Sequence, residues 1–147
     1  MLLWILAALG VVIIVALAVY AGRLLRQVEE QKRALAAAIK TRNDKLIESI
    51  HLIAKAMVQG QCNLSEGAIR QTVLLGELKL DQPVVVEQEY QAMSELYQVV
   101  KDMPTHSVRK EKPKKEIRAL DREREKHEQR LEAAIIEEMK LLQDRQF

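Results

Sequence analysis

A chain of 147 residues with 23 Lys and Arg against 21 Asp and Glu carries a net charge of only +2, too little by itself to require a polyanionic partner. Its single cysteine excludes an internal disulfide. A composition rich in Ala, Leu, Glu, Lys, Arg and Gln, with five aromatic residues, is that of helices around one small core.

Residues 1–22, MLLWILAALGVVIIVALAVYAG, contain no charged side chain and are followed at once by Arg23 and Arg26. As a helix rising about 1.5 Å per residue the segment reaches roughly 30 Å, the thickness of a bilayer's hydrocarbon core, so it reads as a transmembrane helix. A cleaved signal peptide is the main alternative, with Ala16-Leu17-Ala18 as its cleavage pattern. No Lys or Arg precedes the apolar run, however, and the run is longer than a signal peptide's. A core helix apolar on every face would need a larger protein around it, and neither Gly at position 2 nor a Cys near the start offers a lipid anchor.

Lys and Arg accumulate on the cytoplasmic side of a span. Arg23, Arg26, Lys32, Arg33, Lys40, Arg42 and Lys45 outnumber Glu29, Glu30 and Asp44 just past it. The expectation is therefore a single-pass protein of a bacterial inner membrane with its C-terminal domain in the cytoplasm. Trp4 and Tyr20, sixteen residues apart, suit the two membrane interfaces, with Arg23 and Arg26 at the headgroups.

Residues 23–58 hold no Pro or Gly, and Val28, Leu35, Ile39, Leu46, Ile50, Ile53 and Met57 draw one apolar face of a long amphipathic helix or stalk. Arg42-Asn43-Asp44 is a place where that helix could break. Gly60 ends it, and Asn63 or Ser65 caps the next helix, over residues 65–80, which Gly67 and Gly76 weaken. Asp81-Gln82-Pro83 is a turn. Val86, Tyr90, Met93, Tyr97, Val100 and Met103 then form a stripe expected to face the core, where Tyr97→Ala should cost about 3–5 kcal/mol. Met103-Pro104-Thr105-His106 is a further break, with Thr105 or Ser107 as cap.

Residues 107–147 start basic and continue as a charged C-terminal helix, with Pro113 disturbing its first turns. Arg118–Asp121 and Arg124–Glu128 can pair on its surface. Ile117 and Leu120 begin an apolar seam that resumes with Leu131, Ala134, Ile135, Glu138, Met139 and Leu142, for the bundle or for a coiled coil with a partner.

The chain is thus expected to be all-α: a transmembrane helix at 1–22, then a small cytoplasmic helical bundle over 23–147, made of a stalk (23–58), short helices (63–106) and a long charged C-terminal helix (107–147). His51, His106 and His127 form no metal-ligand spacing. No phosphate-binding loop or nucleophile elbow occurs, and Glu29-Glu30 and Glu137-Glu138 read as solvated charges. Neither a cofactor nor an enzymatic activity is expected. The partners are the lipid bilayer and a protein, by hetero- or self-association. The expected role is a membrane-anchored interaction or scaffold module; the alternative is a membrane-tethered binder of nucleic acid or an anionic lipid surface, with nucleic acid disfavoured because the basic run at 109–118 is interleaved with acids.

Residues 49–57 (SIHLIAKAM), 59–70 (QGQCNLSEGAIR) and 103–106 (MPTH) resemble a bacterial family of single-span membrane proteins known only as a domain of unknown function. The resemblance covers nearly the whole chain. It implies a span followed by a helical cytoplasmic region and brings no catalytic residues with it.

Overall fold

The computed structural model describes residues 1–104 and 106–147, the side chains of 106 and 107 excepted. Thr105 and Ser107, the candidate caps of the Pro-Thr-His turn, therefore lie outside the described residues and side chains. Among the described residues six helices run in order: α1 Leu2–Val58, α2 Leu64–Glu77, α3 Val86–Glu89, α4 Gln91–Val100, α5 His106–Glu111 and α6 Lys114–Gln143. No strand occurs among the described residues, and the protein is all-α. It falls into two units, Met1–Thr41 and Arg42–Phe147.

The first unit is one stretch of α1, helical without interruption through Gly10 and Gly22. Its most apolar eighteen-residue window has no buried residue among the described residues. This is a helix long and apolar enough to cross a membrane.

In the second unit the last turns of α1, together with α2, α3, α4 and α6, enclose one core. Ile50, Ala54 and Met57 come from α1, Ala68 and Leu75 from α2, Met93 and Leu96 from α4, and Leu131, Ile135, Met139 and Leu142 from α6. The spacing along α6 is four, four and three, as a bundle-facing stripe requires. Of the stripe on α3 and α4, Val86, Tyr90, Met93 and Val100 are buried. Tyr97 and Met103 are only half-buried. The place expected for Tyr97 belongs to Leu96, because α4 begins anew at Gln91 after the backbone leaves helical geometry at Tyr90 (φ −131°, ψ 66°), which rotates the buried face onto Ala92, Met93, Leu96 and Val100.

No break occurs at Arg42-Asn43-Asp44. The Asn43 side chain is buried and joins α1 to the chain leaving α2, donating from Nδ2 to the Lys79 carbonyl (2.7 Å) and accepting from the Lys79 amide (3.1 Å). Arg42 adds a bond to the Glu77 carbonyl and an ion pair with its carboxylate. Asn is a poor helix former because its amide competes for backbone groups, and here those groups belong to another segment, leaving the α1 ladder intact.

Helix α1 ends as Gly60 indicates. Gly60 has φ +68°, its amide donates to the Met57 carbonyl (3.1 Å), and the Gln61 amide donates to the Ala56 carbonyl (2.8 Å), a Schellman closure. Asn63 caps α2 by accepting from Ser65 and Glu66 amides at 2.9 and 3.2 Å, which frees Ser65 for another partner. Gly67 costs helix propensity but admits Met57, since a Cβ there would meet Met57 Sδ at 2.3 Å.

The pairing foreseen for Arg118 and Asp121 is replaced by one across two helices. Arg109 of α5 grips both carboxylate oxygens of Asp121 at 2.9 and 2.6 Å, a fork geometry that a neighbouring side chain on the same helix does not offer. This hydrogen-bonded pairing holds the Asp121 carboxyl below its ordinary pKa.

Glu138 likewise departs from the role of a solvated charge. Its carboxylate accepts from the amides of Ala92 (2.8 Å) and Met93 (2.9 Å), the two donors that a capping side chain satisfies at a helix start. Helix α4 has no side-chain cap of its own, so α6 supplies it, with favourable charge against the helix dipole.

Two expected outcomes follow for urea unfolding of the detergent-solubilised full chain, monitored by circular dichroism. Leu96→Ala should cost about 2–5 kcal/mol, and Tyr97→Ala clearly less; equal losses would return Tyr97 to the core. Glu138→Ala should cost about 1–3 kcal/mol by leaving two amides unpaired, and Glu138→Gln less, since one acceptor oxygen remains.

Candidate functional site

The sequence segment 59–70 builds the junction between α1 and α2, and a shallow open groove runs beside it. Met57, Val58, Cys62, Asn63, Glu128 and Glu132 are among the residues that line this groove. Ser65 donates its hydroxyl to Glu128, tying the first turn of α2 to α6. Arg124 lies 3.9 Å from the same carboxylate.

Cys62 is half-buried, and its thiol points to the Asn63 carbonyl at 3.5 Å. Burial pushes its pKa up, and the smaller effects of Arg70 and Glu66 oppose each other. A thiol whose pKa is raised is a slower nucleophile, and among the described residues that line this groove there is no His to act as base.

A second cluster joins the C-terminal residues to the bundle. His51 Nε2 donates to the Arg145 carbonyl at 2.9 Å, and its ring stacks on Phe147 with centroids 6.2 Å apart. The Arg145 guanidinium donates to the Tyr90 hydroxyl (2.7 Å), pairs with Glu89 and lies 4.9 Å from the Phe147 ring centroid. Burial raises the Tyr90 pKa against the opposing pull of Arg145. The Arg145 carbonyl and the Phe147 face thereby fix the orientation of the His51 ring. The sequence singled out His51 but gave no sign of this clasp, because its partners lie 94 residues away and beyond the last periodic apolar position.

Trp4, Tyr20, Arg23 and Arg26 all lie on α1 in the Met1–Thr41 unit, where every one is exposed. A helix strings them along its length, so they do not converge. Among the described residues no group of three or more His, Cys, Asp and Glu could hold a metal ion.

These features define a class: a helical bundle carrying an N-terminal helix long and apolar enough to cross a membrane. Residues 14–142 match the family described as Protein of unknown function (DUF2489), and the chain belongs to that family. It is similar to an uncharacterized protein of Haemophilus influenzae, at 41% identity over 140 residues that cover 95% of this chain and 92% of the relative. No solved structure matches it.

The raised thiol pKa has a measurable sign. The neutral thiol is favoured by the fold, so the stabilisation it brings is present below the unfolded pKa and is lost as pH rises through the folded one. Iodoacetamide labelling of Cys62 in the native chain should rise with pH at a higher midpoint than in the urea-unfolded chain. A native midpoint below the unfolded one would mark an activated thiol.

Proposed function

We propose that this protein is a single-pass, membrane-anchored interaction or scaffold module, with its helical bundle held in the cytoplasm of a bacterial cell and no catalytic activity of its own. One observation carries the reading: the most apolar window of α1 is unburied. A core helix of a soluble protein would be covered by its own chain, and an all-round apolar helix that is not covered belongs in lipid.

The continuity of α1 supports retention of the anchor, because the helix that starts at Leu2 ends in the core residues Ile50, Ala54 and Met57. The excess of Lys and Arg after Gly22 favours the cytoplasmic orientation. Several groups of chemical interest serve the packing: His51 closes the C-terminal clasp and Glu138 caps α4, while burial pushes the Cys62 thiol pKa up.

A reporter fused after Phe147 should be active only when it requires the cytoplasm, and the intact mass of the membrane-extracted chain should include residues 1–22. Periplasmic activity would reverse the orientation. A mature chain beginning near Val19 would show that the segment is a signal peptide.

A further inference from the structure

We propose that residues 24–38 of α1 pair with the same residues of a second copy of this chain, as a parallel, in-register two-stranded coiled coil. The inference rests on the membrane-anchored reading above and extends it by naming the partner. Leu24, Val28 and Leu35 are 48%, 43% and 62% exposed, on a stretch of helix, residues 24–38, that is exposed at every position.

The heptad arrangement of these residues points to a second copy. With Val28 and Leu35 at position a, Leu24, Gln31 and Ala38 fall at d. Arg26, Arg33 and Lys40, each seven residues from the next, all fall at f, the position furthest from a partner helix. Arg23, Glu29 and Glu30 occupy the outer positions b and c. The Arg33–Glu29 ion pair, 3.2 Å long, lies within that outer face and is undisturbed by pairing.

In a parallel in-register pair the a and d residues meet their own copies and each g residue faces the e residue of the partner's next heptad, so like charges at these positions are destabilising. The flanking e and g positions, Leu25, Gln27, Lys32, Ala34, Ile39 and Thr41, hold a single charge. In this register Lys32 faces the uncharged Gln27 of the second copy. A charged foreign helix would find nothing at these positions to select it, whereas a second copy meets no repulsion. Gln31 meets its own amide at the centre of the seam, where a donor and an acceptor on each side can bond and fix the register.

Lipid does not account for the whole stripe. Leu35 lies thirteen residues past Gly22, roughly 20 Å along the helix, while the headgroup layer is about 5–8 Å deep on each side. Anchoring in one bilayer also brings copies together with their helices already parallel, raising the effective concentration for a seam too short to hold in free solution.

The test uses the full chain in its native membranes with Cys62→Ser, so that each added cysteine is the only one. Single cysteines at Val28 and Leu35, and as controls at Arg26 and Arg33, are treated with a short bismaleimide and separated by denaturing electrophoresis. Val28→Cys and Leu35→Cys should yield covalent dimers at least about tenfold above Arg26→Cys and Arg33→Cys, and adding Leu35→Glu to the Val28→Cys chain should abolish its dimer. Equal yields at all four positions, monomers throughout, or adducts of Val28→Cys to a different protein would each overturn the pairing. Alkaline carbonate extraction of the same membranes reports the anchor separately: a chain released by carbonate sinks the anchored reading, whatever the crosslinks show.

Discussion

A helix satisfies its own backbone, and the structure depends on that property being carried through fifty-seven residues without a break. The first part of α1 is apolar on every face, the next is apolar on one face and charged on the other, and the last is packed in a core. Only side chains change along the way. Because no amide or carbonyl in the ladder needs a new partner at either transition, one helix can change from an exposed apolar segment to a core-packed one. The first buried side chain of that unit on α1 is Asn43, and its amide holds the backbone at Lys79.

Short helices have many ends for their length, and each end leaves backbone groups unpaired. In this bundle the two long helices provide for the short ones. Glu138 of α6 closes the start of α4, and Asn43 and Arg42 of α1 hold the chain after α2. The buried Gln71 of α2 returns a bond of 2.8 Å to the Ile50 carbonyl of α1. Hydrogen bonds of this kind are each worth about 1 kcal/mol net, but removing one partner costs more, because the other stays buried and unsatisfied. They therefore fix which helix end meets which helix face, while apolar burial supplies most of the stability.

The stretch that carries the family resemblance is explained by the same geometry. Gly60 takes the left-handed conformation that ends α1, Asn63 caps α2, Ser65 reaches Glu128, and Gly67 leaves room for Met57. Each of these residue types answers a demand of the α1–α2 junction. The groove beside it is lined by Cys62, whose thiol pKa burial pushes up, and by Glu128 and Glu132.

The all-α class, the long N-terminal helix, Gly60 as its end, Asn63 as one of two candidate caps and the α6 seam at Leu131, Ile135, Met139 and Leu142, though not at the exposed Ala134, were legible in the sequence, because each is written in local periodicity or in a residue with a narrow backbone preference. What depended on distant partners was not. The restart of α4 at Gln91 moved the core position from Tyr97 to Leu96, and nothing local to the stripe marks that rotation. Glu138 looks like any solvated carboxylate until α4 is set against it, and Asn43 looks like a helix breaker until Lys79 stands opposite. Asp121 pairs with Arg109 instead of Arg118, and the C-terminal clasp of Arg145 and Phe147 on His51 and Tyr90 joins residues more than fifty positions apart. Side-chain type and spacing determine how a helix forms and which face is apolar; where a polar group finds its partner is decided only when the helices pack, since its free energy depends on what replaces water around it.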